Sequence, residues 1–364
     1  MSRAWSLVSG TLGRRGLKTY RLRLLVQSGF ALLILALGAQ FAQFVRRAEA
    51  LSPAYLADLH RGVDAATLAA RYALPTRPPG VEGFLPISGL MGLVDWVREG
   101  HLNAVHPAAT VLFLVAVALA FLLRKSFCSW LCPVGLLSES LARLGRRLPF
   151  LRGRNLRLPR WLDVPLRGLK YLLLGFFLWA VFGMSQAAMQ AFLTSDYNQV
   201  ADVKMLWFFT RMSALAGGVL LLLALGSVFV NGLWCRYLCP YGALLGLVSW
   251  ASPLRIRRNA DACTDCGLCD RVCMARLPIS SKARIISPEC TGCLDCVASC
   301  PTTNALGLAG TRKGLGPGRM AAAVVLLFLA GVAAARLTGN WQNAISDTEY
   351  LRRIPEAALY DHPR

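Results

Sequence analysis

The stretch Cys263-Thr264-Asp265-Cys266-Gly267-Leu268-Cys269-Asp270-Arg271-Val272-Cys273 is followed by Cys290-Thr291-Gly292-Cys293-Leu294-Asp295-Cys296-Val297-Ala298-Ser299-Cys300-Pro301. Each run reads C-x2-C-x2-C-x3-C. Three thiols this close in sequence wrap one side of a metal centre, and a more distant fourth closes it. All 12 cysteines fall in four short motifs, so none is left over for a structural disulfide. Fixed short spacings suit metal ligation better than a disulfide framework. Zinc sites usually pair two C-x2-C units across a longer spacer, which these runs do not do.

The paired runs resemble the bacterial two-cluster ferredoxins, in which the fourth cysteine of each run serves the other cluster. That resemblance implies one [4Fe–4S] cluster on Cys263, Cys266, Cys269 and Cys300. A second [4Fe–4S] cluster falls to Cys290, Cys293, Cys296 and Cys273. Met274 stands where the pattern usually has proline, while Pro301 is kept. The same resemblance implies a small α+β ferredoxin-like domain over 255–318. No G-x-G-x-x-G between a strand and a helix and no Walker loop accompany it, so electrons come from and go to other molecules.

On either side the chain is apolar. It is 55% hydrophobic and only 16% charged over 364 residues, with a mean hydropathy of +0.47. Soluble domains carry about 25% charged residues. Five runs, at about 22–44, 107–123, 169–193, 208–231 and 319–337, are long enough to span a bilayer about 30 Å thick. The second and fifth are near the lower limit, and Arg211 and Arg336 lie near span ends, where they can snorkel. The expected fold is therefore mainly α, a polytopic membrane protein of about five spans carrying the inserted ferredoxin-like domain. Segments 1–44 and 45–106 read as a basic leader with the first span and a periplasmic or interfacial loop. Segments 107–254 and 319–364 read as spans two to four and as the fifth span with its periplasmic tail.

Charge sets the expected orientation. Segments 1–23, 124–170 and 233–319 hold 28 Lys+Arg against 7 Asp+Glu, and the other connecting segments hold 10 against 12. The positive-inside rule places the first set in the cytoplasm of a bacterial inner membrane, with the C-terminus periplasmic. The net charge of +21 is then a topology signal, and no nucleic-acid partner is expected. The basic flank before the first run and Ala48-Glu49-Ala50 after it resemble a secretory signal. The apolar stretch is too long for one, so an uncleaved anchor is expected. The four histidines (His60, His101, His106 and His362) lie outside the apolar runs, and no C-x-x-C-H occurs. Neither a membrane-buried bis-His haem nor a c-type haem is expected.

Two further motifs repeat. Phe127-Cys128-Ser129-Trp130-Leu131-Cys132-Pro133-Val134-Gly135 matches Trp234-Cys235-Arg236-Tyr237-Leu238-Cys239-Pro240-Tyr241-Gly242. Each follows an even-numbered run, which implies an internal two-helix duplication. Proline disfavours helix at the residue before it and suits the first turn after it, so each motif is a hinge. The basic amphipathic stretch Val134–Leu148 suits a membrane surface. Thiols at helix N-termini, here beside Arg124, Lys125 and Arg236, are expected to have lowered pKa values. Three readings fit Cys128, Cys132, Cys235 and Cys239. They converge on one metal or cluster, they form a dithiol relay or transient copper site, or they are small interface residues.

The whole combination resembles the NapH/NosR-type membrane polyferredoxins, over about 107–310, and is nearest the short NapH-like type. The large flavin-binding domain of NosR-type proteins is not matched, nor is the C-terminal β-sandwich of the branch that handles copper for cytochrome oxidase assembly. The resemblance implies membrane electron transfer between the quinone pool, or a cytoplasmic donor, and a redox partner such as a periplasmic reductase or multihaem cytochrome. It equally implies an alternative, an assembly factor that reduces copper or disulfides. His101, His106, Asp196 and Tyr197 are the residues offered as quinone or partner contacts, with none treated as catalytic.

Overall fold

A computed structural model describes residues 14–151, 155–309 and 315–361; His362 and Pro363 lie outside them. The chain is mostly helical. Its helices are α1 (Arg14–His60), α2 (Ala65–Arg71), α3 (Pro86–Glu99), α4 (Pro107–Leu122), α5 (Ser126–Trp130), α6 (Pro133–Arg147), α7 (Arg160–Phe182) and α8 (Gln186–Leu193). They continue as α9 (Asp196–Gln199), α10 (Ala201–Thr210), α11 (Ala214–Phe229) and α12 (Pro240–Trp250). Strand β1 (Arg255–Arg258), α13 (Leu268–Val272), α14 (Asp295–Ser299) and β2 (Leu306–Ala309) follow, then α15 (Pro317–Leu337) and α16 (Asp347–Arg353).

Three helices, Gly16–His60, Arg160–Phe182 and Pro317–Leu337, are long and apolar enough to cross a membrane. A fourth crossing arises if α10 and α11 count as one span bent by 74°, and α4 is a shorter apolar helix. Leu32, Leu172, Trp179, Leu222 and Leu326 are exposed on these helices. So many large apolar side chains facing outward mark a molecule whose solvent is lipid.

Two apolar runs are broken where the sequence shows no gap in hydropathy. The 169–193 run divides because α7 stops at Phe182 and Ser185 caps α8, its side chain accepting the Ala188 N–H. The 208–231 run divides at Arg211–Ser213, where Ser213 Oγ accepts the Ala216 N–H. A short hydroxyl side chain satisfies an orphan helix donor, so the chain can restart in a new direction. Arg211 at this break is not simply snorkelling. It pairs with Glu49 at 2.6 Å and lies 4.3 Å from the Trp207 ring.

The chain divides into two compact units. One takes the chain up to Ala31 with Val115–Phe176 and Gly218–Leu329. Its apolar contacts join Ala116 and Ala120 of α4 to Leu245 of α12, with Phe127, Cys128, Tyr241 and Val248 around them. Strands β1 and β2 pair antiparallel, with Ile256 opposite Leu308, both buried. Helix α6 is two-faced: Ser138, Glu139, Ala142 and Gly145 are buried, while Val134, Leu137 and Leu144 are exposed. A Cβ on Gly145 would meet Val228 O at 1.8 Å. Backbone cannot yield as a side chain tip can, so Gly145→Ala is expected to cost at least the ~1–3 kcal/mol of ordinary overpacking. Thermal unfolding in detergent measures it, and an unchanged midpoint would refute the close approach.

The other unit takes Leu32–Leu114, Phe177–Gly217 and Ala330–Arg364. Phe41, Phe44, Val45, Ala48 and Tyr55 of α1 line one face at helical spacing and pack with Leu68, Val200, Val203, Tyr350, Leu351 and Ile354. The Ala48-Glu49-Ala50 segment thus lies within a helix, its first alanine fully buried. The 45–106 segment, expected as a loop, is largely helical: the end of α1, then α2, a 3-10 turn at Pro79–Phe84 and α3. The tail after Trp341 is not an appendage either. Trp341 packs with Ala108 and Ala335, and α16 is capped by Ser346.

Candidate metal centres

The ferredoxin-like segment is built from two loops of the same shape. Asp265 and Gly292, within the first C-x2-C of each run, have φ 49° and 63°, and Gly267 and Leu294, within the second, have φ 64° and 63°. Left-handed backbone at both places turns the three thiols inward. Glycine takes it freely, whereas Leu294 bears the strain while 1% exposed. Strain held in a buried residue marks a loop fixed by its surroundings.

Each run ends in a short helix, α13 or α14, and its fourth cysteine swings away. Two cavities result. The first is lined by Cys273, Cys290, Cys293 and Cys296, with Ile256, Leu277, Ile279 and Ile285 among its walls. The second is lined by Cys263, Cys266, Cys269 and Cys300, beside Arg258 and Pro301. The eight thiols therefore fall four and four, each set taking one cysteine from the other run. Four thiols around an apolar-walled space fit a [4Fe–4S] cubane, which such donor sets hold as thiolates.

The two cavities differ in exposure. Cys266 is exposed and the Asp265 carboxylate beside it is 76% exposed, paired with Arg258 at 2.9 Å. This is the outer cavity. In the other, the inner cavity, burial raises the Cys293 and Cys296 thiols well above their usual pKa and pushes Cys273 up to about 11. Cluster iron must displace those protons, so assembly releases them and favours higher pH.

The inner loop sits on the first hinge. Ser129 Oγ donates to Thr291 O at 2.8 Å and Trp130 Nε1 donates to Gly292 O at 3.2 Å. Arg124 donates to Ser287 O, and Lys170 pairs with Glu289 at 2.5 Å. At the second hinge Arg236 donates to Ala275 O and is bidentate to Asp163, both bonds 2.9 Å. Arg23 reaches the same region from α1, donating to Asp295 at 2.6 Å.

The two hinges share their local geometry. The Cys132 N–H donates to Phe127 O and the Cys239 N–H to Trp234 O, both at 2.9 Å. Gly242 N donates to Cys239 Sγ at 3.2 Å, whereas the Cys132 side chain makes no such cap bond. A Cβ on Gly135 would meet Cys128 O at 2.3 Å, so this turn requires glycine. The expected lowering of the hinge thiol pKa values is overturned at Cys128, Cys132 and Cys235. Burial pushes Cys128 up to about 11 against the pull of Lys125 and Cys235 up to about 12, and it raises Cys132 well above the ordinary value. Desolvation disfavours the thiolate more than the helix end favours it.

The residues offered as quinone or partner contacts have different surroundings. His106 is 5% exposed, with Nε2 2.6 Å from Asn198 O and Nδ1 3.4 Å from Glu82. Asp196 is held by Arg353, Tyr197 lies against Lys204, and His101 is exposed. Sequence reading missed Arg77, which is 7% exposed and donates from Nε and Nη2 to Asp202 Oδ2 at 2.9 and 2.7 Å. Only its place in a Pro-rich stretch could have drawn notice.

A helical membrane scaffold carrying two four-cysteine cavities is an iron–sulfur protein of electron transport. Known proteins agree: a family described as "4Fe-4S binding domain" matches residues 105–152 and 212–259, and one described as "4Fe-4S dicluster domain" matches 255–305. The chain belongs to the NapH/NosR-type membrane ferredoxin family. It is 44% identical over 293 residues to YccM of Escherichia coli, named for electron transport, covering 79% of this chain and 81% of that one. It is 27% identical to the ferredoxin-type protein NapH of Haemophilus influenzae over 59% of this chain and 73% of that one. With the regulatory protein NosR of Pseudomonas aeruginosa it shares 31% identity over 59% of this chain but only 29% of NosR. No solved structure matches.

Proposed function

We propose that this protein is a membrane-bound electron relay with two [4Fe–4S] clusters, one held by Cys263, Cys266, Cys269 and Cys300, the other by Cys273, Cys290, Cys293 and Cys296. The observation that carries it is the division of the eight thiols between two cavities. A soluble redox partner meets the exposed outer cavity. The inner cavity, against the helix ends, exchanges electrons with the quinone pool or a second redox protein. The clusters face the cytoplasm of an inner-membrane protein with five crossings, α4 being a short one and α10–α11 a broken one. The loop charges support that orientation. An internal duplication is supported by the same family matching twice and by the matching Cys132–Phe127 and Cys239–Trp234 backbone bonds.

The reading predicts separable losses. Cys296→Ser is expected to remove about four irons per chain and one ferredoxin EPR signal. Cys269→Ser removes the other signal, and Cys300→Ser behaves like Cys269→Ser, not like Cys296→Ser. The reverse grouping, or zinc in anaerobically purified protein, would overturn the assignment. A menaquinol analogue is expected to reduce the clusters. Silence towards every quinol, with rapid Cu(II) reduction by the dithionite-reduced protein, would instead favour an assembly factor.

A further inference from the structure

Several cations grip the segment that carries the inner cavity, and most are matched by carboxylates. Arg23 is matched by Glu139 and Asp295, Lys170 by Glu289 and Arg236 by Asp163. Arg124 is not. It is fully buried, and it forms no ion pair with an Asp or Glu among the described residues. Its Nη1 donates to Ser249 O at 3.3 Å and its Nη2 to Ser287 O at 3.0 Å, and its buried Nε–H has no acceptor.

The surroundings hold Arg124 in this place. It joins α4 to α5 with φ 62°. Left-handed backbone costs a non-glycine residue ~1–3 kcal/mol and persists only where the surrounding structure over-determines it. The Arg124 Cβ lies 3.3 Å from where a Cβ on Gly292 would stand, so the side chain starts against the middle of the Cys290–Cys293 loop. It ends at Ser287 O, which also accepts the Cys290 N–H at 3.2 Å. One carbonyl thus joins the guanidinium to the first thiol residue of that loop. The outer cavity has no counterpart, because Arg258 there is paired with Asp265.

A cation out of water costs several kcal/mol unless opposite charge answers it. Two carbonyl dipoles answer only part of it. Four thiolates on a [4Fe–4S] core of charge +2 carry a net −2, and one further electron makes this −3. A fixed cation nearby favours the more negative state, and the more so where water is excluded.

We propose that Arg124 raises the reduction potential of the inner cluster, as a positioning residue that clamps the Cys290–Cys293 loop and holds an unneutralised positive charge beside it. This rests on the reading above that the inner cavity holds a [4Fe–4S] cluster.

An EPR-monitored redox titration of the anaerobically purified full-length protein tests it, the inner signal being the one that Cys296→Ser removes. Arg124→Gln is expected to keep about eight irons, four per cubane. It should lower the inner midpoint by about 59 mV, a tenfold weaker hold on one electron, and leave the outer midpoint in place. Arg124→Lys is expected to restore most of the shift. Both midpoints unmoved in Arg124→Gln, or both moved alike, would overturn the role. If Arg124→Gln does not hold the inner cluster, Arg124→Lys decides. Iron retained at the unaltered potential supports the charge, whereas a lowered potential or lost iron overturns it. An unaltered protein without two ferredoxin signals would instead overturn the cluster reading itself.

Discussion

Replacing Arg23 by glutamine is expected to destabilise the protein by about 3–5 kcal/mol, the usual result of stranding buried charges. Arg23 is fully buried. Its Nη2 lies 2.5 Å from both oxygens of Glu139, its Nη1 2.6 Å from Asp295 Oδ2, and Nη2 also approaches Met274 Sδ at 3.5 Å. One guanidinium thus joins α1, α6 and the loop that carries Cys293 and Cys296. Without it two carboxylates face each other in a dry interior, although Arg143 still touches Glu139. Iron at the inner cavity should fall together with the unfolding midpoint, since Asp295 adjoins Cys296. Adding Glu139→Gln removes one stranded charge and is expected to restore part of the loss. A midpoint within about 0.5 kcal/mol of the unaltered protein, the range of a surface substitution, would show that Arg23 is solvated and not an anchor.

Arg77→Leu is expected to cost a similar ~3–5 kcal/mol in the other unit. Arg77 and His106 face Glu82 and Asp202 in one buried group, with the Arg77 guanidinium 5.8 Å from the Phe41 ring and 6.0 Å from that of Tyr350. Glu82 has no exposure at all, accepts from Arg77 at 2.9 Å and also accepts the Ala109 N–H. The four charges balance only if His106 is protonated. Burial pushes the His106 pKa down, but its bond to Glu82 and the charges of Glu82 and Asp202 outweigh this, and the net direction is up. A raised folded-state pKa gives stability that is complete below the unfolded value near 6.5 and is lost as pH rises through the folded value. Unfolding midpoints are therefore expected to fall as pH rises above about 6.5, and His106→Gln to abolish that slope. A slope that survives the substitution would place the titration elsewhere.

The cysteine chemistry was legible because ligation is local. Three thiols within one loop are fixed by spacing, and the left-handed turns at Asp265, Gly267, Gly292 and Leu294 follow from the same short runs. The hinges were legible for the same reason, since proline dictates the geometry of the residue before it. Their thiol pKa values were misjudged, because burial depends on Leu245, Tyr241 and Phe127, which no local window contains. Arg23 was counted as one more positive charge in a basic flank. Its partners lie 116 and 272 positions away, and only packing makes it an anchor. Hydropathy likewise ran through the breaks before α8 and α11, where single serine caps set new directions.

By itself the sequence determined that the chain carries apolar helices of membrane length, that its cysteine runs suit iron–sulfur ligation, and that two proline hinges repeat. Composition, spacing and backbone stereochemistry act over a few residues and need no partner. Tertiary structure alone decided which cavity is exposed and which charges are buried in pairs. Burial and electrostatic pairing are properties of space, and residues far apart in the chain become neighbours only when the fold removes the water between them.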